Sequence, residues 1–327
     1  MRIRTTIATA LLAGQAFSPG TAAAASAPDY PNRPLRMIVA FAPGGVVDTA
    51  SRVLASKLTE RLGWQIVVDN RTGGNGIIGG HIMARAQPDG YTIFLAHTGE
   101  FAVNPWVFRS IPFDYGRDFI PVTMVNDGPM LVVVNSSSPV ASMKDLVALA
   151  KGKPGQIAYG SPGTGAVNHL AMEWIATAAG IKILHVPYKG GAPAVTAVAQ
   201  GDVLVTASGV PGVLPHLNSG RVRVLGVTTA RRWDFGRDWV PVQESGVPGV
   251  DASIWTGIFL PKGAPAAVVE KLHAEVAATL RQPDVKERFA TLGSEPVSMT
   301  PKAFAARVQQ DSERYRKVVQ AVGIEQQ

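Results

Sequence analysis

The chain of 327 residues contains no cysteine. That excludes disulfides and a lipid-modified N-terminal cysteine, so stability has to come from a packed core. Beyond the first residues no run of 18 apolar side chains occurs, so nothing later spans a membrane as a helix. The six histidines, His81, His97, His169, His185, His216 and His273, form no zinc-like pairing with each other or with acids. A G-x-S-x-G elbow and a phosphate-binding P-loop are also missing. The formal charge of +7 is scattered apart from short pairs such as Arg231-Arg232, and Arg2 and Arg4 contribute to it. A nucleic-acid binder wants a clustered basic face with interleaved aromatics, so no nucleic-acid partner is expected. The charge reads as a solvated surface that mildly favours acidic ligands.

What is present begins with a leader. Arg2 and Arg4 precede an apolar stretch over 5–17, and Thr21-Ala22-Ala23-Ala24-Ala25-Ser26-Ala27 offers small-residue cleavage sites. This is the pattern of a cleaved signal peptide over 1–27, and a cysteine-free exported chain fits a bacterial periplasm. The full chain has ordinary globular composition, with 46% hydrophobic and 17% charged residues, and the residues after the leader are enough for two domains.

Short β-rich runs alternate with helical segments. Strands are expected at 35–40, 65–69, 91–96, 130–134, 157–160, 183–186, 203–208, 222–228 and 254–260. Helices are expected at 48–62, 76–86, 143–151, 167–179, 191–200, 211–219, 265–281, 283–292 and 301–322. Such alternation predicts an α/β fold with parallel sheets flanked by helices. Ser142 with Asp145 approximates a capping box, Thr300 is a good N-cap, and Pro265, Pro283 and Pro301 suit first helical turns. Two turn-rich stretches, 125–129 and 246–251, read as crossings between lobes. They divide the chain into lobe 1, residues 30–126 plus 252–327, and lobe 2, residues 127–251.

Two glycine-rich loops each join a strand to a helix. The first is Phe41-Ala42-Pro43-Gly44-Gly45-Val46-Val47-Asp48, and the second is Ser161-Pro162-Gly163-Thr164-Gly165-Ala166-Val167-Asn168-His169. Glycine lets backbone approach a ligand, and a helix start offers free N–H groups to an anion. In the second loop a carboxylate would accept from the Gly165 and Ala166 N–H groups and from a hydroxyl of Ser161 or Thr164. Each loop alone reads first as a tight turn with ordinary capping; one in each lobe raises a ligand clamp to an equal reading. Thr98 and Ser208 end other strands and read as ligand donors or as caps. Gly74-Asn75-Gly76-Ile77-Ile78-Gly79 matches G-x-G-x-x-G, but the next strand ends in Ala96-His97 without the acid a dinucleotide ribose needs, so it reads as a turn with tight helix packing. His169 reads as a packing or loop-orienting residue rather than a base.

Several blocks taken together resemble a known family. Tyr30-Pro31-Asn32-Arg33-Pro34, Phe41-Ala42-Pro43-Gly44-Gly45, Val68-Asp69-Asn70-Arg71, Ala86-Gln87-Pro88-Asp89-Gly90-Tyr91, Val186-Pro187-Tyr188-Lys189-Gly190 and Glu244-Ser245-Gly246 are similar, in order and spacing, to the Bug family of extracytoplasmic solute receptors, the receptors of tripartite tricarboxylate transporters. The resemblance covers essentially the whole chain after the leader. It implies a two-lobed, type II-like periplasmic binding protein, each lobe a mostly parallel sheet flanked by helices, with a ligand cleft between. The expected role is capture of a small mono-, di- or aromatic carboxylate by lobe closure, without catalysis, cofactor or metal. The implied partners are membrane subunits of a transporter, and the chain is expected to be a monomer. Alternatives are a receptor for a sensor kinase or a periplasmic enzyme using the same cleft.

By the same resemblance the first loop contributes Phe41, Gly44, Gly45 and Val46, with Asp48 capping its own helix. The second contributes Ser161, Gly163, Thr164, Gly165, Ala166, Asn168 and His169. Thr98 and Ser208 line the cleft, and Phe41, Val46 and Trp255 wall the body of the ligand. Val46 and Val47 replace a glycine and a threonine common in the family, Ala166 replaces a serine, and Ser208 stands where many relatives carry aspartate. An ammonium group then lacks an evident partner, which points to an acid without an α-ammonium and with a less polar body.

Overall fold

The computed structural model describes residues 30–236 and 238–327. The expected signal peptide over 1–27 lies outside the described residues. Among those residues ten strands and ten α-helices are present. The strands are β1 (Leu35–Val39), β2 (Ile66–Asn70), β3 (Thr92–His97), β4 (Phe119–Asn135), β5 (Ala158–Ser161), β6 (Leu184–Pro187), β7 (Val205–Gly209), β8 (Val222–Val227), β9 (Ser253–Pro261) and β10 (Glu295–Pro296). The helices are α1 (Val46–Leu62), α2 (Ile77–Ala84), α3 (Asn104–Val107), α4 (Met143–Gly152), α5 (Val167–Ala179), α6 (Gly191–Gln200), α7 (Val210–Asn218), α8 (Ala266–Leu280), α9 (Pro283–Thr291) and α10 (Pro301–Val322).

The strands run in the order β2-β1-β3-β9-β4-β7-β5-β6, with β8 and β10 also pairing β4. The two wings are parallel: β1 pairs β2 and β3, and β5 pairs β6 and β7. Parallel neighbours need a crossover, and the helices α1, α2, α5 and α6 supply it. The centre is antiparallel, because β9 returns between β3 and β4. The parallel character expected from alternation therefore holds at the wings, and the sheet as a whole is mixed.

Local chemistry accounts for the helices. In α1, Val47, Ala50, Leu54 and Leu58 fall on one helical face and are buried, and the helix stops at Gly63 in the left-handed region, φ 69°. Ser142 accepts from the Asp145 N–H and Thr300 from the Ala303 N–H, so both expected caps form. Apolar side chains pack in separate clusters on the two faces of each wing. Helix α10 joins two of them: Phe304 packs beside β9, while Tyr315 and Val319 pack against α5 and the second wing.

One expectation fails locally. The stretch 125–129 does not turn; it lies inside the 17-residue strand β4. Its turn-forming side chains find lateral partners instead. The Thr256 hydroxyl donates to Asn126 Oδ1, Arg307 pairs with Asp127 at 3.4 Å, and Pro129 lies opposite Ser253. The stretch 246–251 is irregular as expected, with Gly246 at φ 92° ending a short helical turn.

Candidate ligand-binding site

The first loop leaves the carboxyl end of β1 and enters α1 through Gly44, at φ 83°, and Gly45. A positive φ is why the sequence needs glycine at position 44. No side chain caps α1, so its first N–H groups have no partner within the helix. Asp48, in the first turn, reaches back and accepts from the Gly44 N–H at 2.9 Å. Its carboxylate also accepts from Arg52 Nε at 3.0 and 3.1 Å and from Asn70 Nδ2 at 3.0 Å, and Asn70 donates to the Phe41 carbonyl at 2.9 Å. Burial pushes the Asp48 carboxyl up, but the Arg52, Gly44 and Asn70 donors outweigh it and hold it below the usual carboxylate range. Asp48 was expected to cap its own helix; it instead ties the loop ahead of the helix.

The second loop leaves β5 and enters α5 through Gly163, φ 141°, and Gly165, φ 76°. The Gly165 N–H donates to His169 Nδ1 at 3.1 Å, and the Ala166 N–H to the Gly163 carbonyl at 3.2 Å. Both groups were expected to face a carboxylate, and both are used within the loop. Ser161 is fully buried; its Oγ accepts from the Gly163 N–H at 3.1 Å and lies 2.6 Å from His185 Nε2. The donors left for an anion are the Thr164 hydroxyl and the first N–H groups of α5, which no side chain caps.

Behind this loop Tyr159, His169 and His185 stack. The imidazole centroids are 4.1 Å apart, and the Tyr159 ring lies 5.1 Å from His185. Burial, then the neighbouring His185, pushes His169 down to about 3, and burial also lowers His185. His169 is therefore a neutral acceptor that orients the loop.

The other expected site residues divide. Phe41 is half-buried and its ring lies 4.4 Å from that of His97. Val46 reaches the second wing: a Cβ on Gly209 would sit 2.3 Å from Val46 Cγ2. Ser208 is buried, and its Oγ lies 3.1 Å from where a Gly191 Cβ would be, at the start of α6. Asn168 donates its amide to the Ala207 carbonyl at 2.8 Å, which ties α5 to β7. Thr98 is buried, and its hydroxyl accepts from the Trp255 N–H at 3.0 Å, so it joins β3 to β9 rather than presenting a free donor. Trp255, expected to wall the ligand, is enclosed in the core: its indole N–H donates to Asp311 at 2.8 Å and its ring packs against Phe304.

Asn75, in the glycine-rich turn, was not singled out as a site residue. It holds φ 49° and donates to the Thr164 carbonyl at 2.8 Å, while Asn104 donates to the Asn75 carbonyl at 2.8 Å. The available clue was an asparagine among glycines, the residue that best tolerates left-handed backbone. Gly79 in the same motif would place a Cβ 2.7 Å from the Ala40 Cβ, which is close helix-on-strand packing.

Residues 50–324 match the family described as tripartite tricarboxylate transporter family receptor. Protein BugT of Bordetella pertussis is 35% identical over 93% of this chain and 94% of its own. Rpa4515 of R. palustris, solved with adipate, superposes with a TM-score of 0.89 at 34% identity over 91% of this chain and 100% of its own. MatC of Rhodopseudomonas palustris, solved with bound malate, gives 0.82 at 27% identity over 89% and 100%.

Proposed function

Since the chain belongs to the tripartite tricarboxylate transporter receptor family, with its α/β periplasmic-binding-protein fold, we propose that it captures a small carboxylate between its two glycine-rich loops and delivers it to the membrane subunits of such a transporter. The capturing bodies are residues 30–126 plus 252–327 and residues 127–251, which close on the ligand as a monomer in the periplasm. Residues 1–27 serve as the export signal. The observation that carries this reading is a pair of helices, α1 and α5, that both start at strand carboxyl ends without a side-chain cap. In open α/β sheets ligands bind at that edge, and uncapped helix starts favour anions. The adipate and malate held by two relatives are of the same chemical class.

In this reading Phe41 and Val46 contact the body of the acid, and Thr164 with the first amides of α1 and α5 takes its carboxylate. Gly44, Gly45, Gly163, Gly165 and Ala166 shape the backbone, while Ser161, Asn168 and His169 hold the second loop in place. Asp48, the acid of the first loop, is already engaged by Arg52 and Asn70, so an α-ammonium group has no partner there. The ligand is accordingly an acid without that group. A thermal-shift and calorimetry panel of adipate, malate, monocarboxylates, aromatic acids and glutamate tests this, because binding to the native state raises its melting temperature. Glutamate binding with no response to any simple carboxylate would falsify it.

The 2.6 Å separation of Ser161 and His185 favours one second reading, a hydrolase in the same cleft. Full burial of Ser161 opposes it, since a nucleophile must meet its substrate. Turnover of carboxylate esters, lost in Ser161→Ala, is the result that would establish it.

A further inference from the structure

The first loop has a neighbour that the receptor reading does not use. Strands β1 and β3 are parallel with Val39 opposite Leu95, so the register carried forward sets Phe41 beside His97. Their rings are 4.4 Å apart at the strand carboxyl ends, where a ligand would lie. Behind His97 the chain makes a π-helical turn, Gly99–Val103, a form that recurs at functional sites. The turn places Glu100 against the imidazole: its Oε2 accepts from the His97 N–H at 3.0 Å and touches Nδ1.

The Gly99 N–H also donates to Nδ1, at 3.0 Å, which leaves the ring hydrogen on Nε2. Nε2 has no partner among the described residues and is not enclosed. The His97 side chain is 12% exposed and that of Glu100 0%. The pair thus turns one N–H outward and keeps its acid behind. Its neighbours fix this arrangement. A Cβ on Gly99 would lie 2.4 Å from His97 Cε1, and one on Gly76 would lie 2.6 Å from Glu100 Cγ. Among the residues expected to contact ligand the only imidazole, His169, already uses Nδ1 inside its own loop.

Resting on the carboxylate-receptor reading, we propose that His97 is the specificity-determining donor for the second carboxylate of a dicarboxylic acid, and that Glu100 is the residue that positions it. The helix starts of the two loops take one carboxylate, Phe41 borders the chain between, and His97 Nε2–H takes the other end.

Calorimetry with adipate and with hexanoate, which lacks only the second carboxylate, tests the assignment. The wild type is expected to prefer adipate. His97→Ala should weaken adipate roughly ten- to a hundredfold, the range for a hydrogen bond to a charged group, and hexanoate less than about threefold. His97→Phe keeps a ring against Phe41 and removes the donor, so it should show the same selective loss if the alanine variant melts early. Glu100→Gln should lose part of the preference. Equal losses for both acids, or adipate binding unchanged in both His97 variants, overturn the proposal. A wild type that binds acids without preferring the dicarboxylate overturns this assignment alone, whereas one that binds no carboxylate overturns the receptor reading with it.

Discussion

Asp48 and His169 close the same ring in two places. Each lies three residues beyond its helix's N-cap position and accepts from the N–H of a glycine four residues earlier, Gly44 or Gly165, that has positive φ. The surroundings differ. Asp48 is an ionised acid braced by Arg52 and Asn70 beside an exposed loop. His169 is a neutral ring stacked on His185 in a loop enclosed by Val107 and Asn75. One clasp is thus built from charge near water and the other from packing away from it. The same backbone geometry should therefore fail under different stresses in the two loops.

The widest separation is expected from Gly165→Ala set against Gly44→Ala. At Gly165 an added Cβ meets Val107 Cγ1 at 2.3 Å and φ is 76°, whereas at Gly44 it meets nothing within 4 Å. Overpacking with backbone strain should cost about 2–4 kcal/mol at Gly165 in urea unfolding and weaken ligand binding more than tenfold. Equal effects at the two glycines would show that the second loop is not held by packing.

Acid should loosen the second clasp first. His169 has its pKa depressed from 6.5 to about 3, so the unfolded chain binds the extra proton between those values. The stability it supports is whole above pH 6.5 and declines by up to about 1.4 kcal/mol per pH unit below it. Asp48 is also depressed, which for an acid means its contribution is present above the ordinary carboxylate pKa and lost only as pH falls below it. Melting temperatures between pH 7 and 5 should fall for the wild type and for Asp48→Asn, and more shallowly for His169→Gln. Parallel curves for all three would assign the acid sensitivity elsewhere.

Asn75→Ala removes the bond that ties the second loop to the opposite wing. A net loss of about 1 kcal/mol, or roughly fivefold in affinity, is expected by calorimetry. The first loop has no such tie in its backbone, and Gly44→Ala should change affinity least, with about 1 kcal/mol of stability lost to its positive φ. A larger effect at Gly44 than at Asn75 would reverse the comparison.

Much of this frame could be read from residue order. Ser142, Thr300 and Pro301 announced helix starts, and the bounds expected for α5, α6 and α10 match the structure to the residue. The strand through 125–129 could not be read, because Asn126, Asp127, Gly128 and Pro129 favour turns until β9 and α10 supply partners. Both glycine loops were legible as strand-to-helix turns, yet the occupants of their N–H groups were not. A glycine followed four residues later by an acceptor was visible twice, but only the fold shows that each acceptor folds back. Trp255 was misjudged because an aromatic near a strand end gives no sign of which face of the sheet it takes.

The long strand β4 has a consequence for how the chain reaches this state. Its first part pairs with β9, from Phe119 opposite Pro261 to Pro129 opposite Ser253, partners up to 142 positions apart. The second wing meets its central neighbour β4 through β7, but the first wing, which meets β9 through β3, cannot acquire its own until the chain is made past Ser253, so its completion waits on a loop closure that local contacts cannot hasten. Substitutions that weaken this seam, such as Thr256→Val, should then slow refolding more than they speed unfolding if the seam forms in the rate-limiting step.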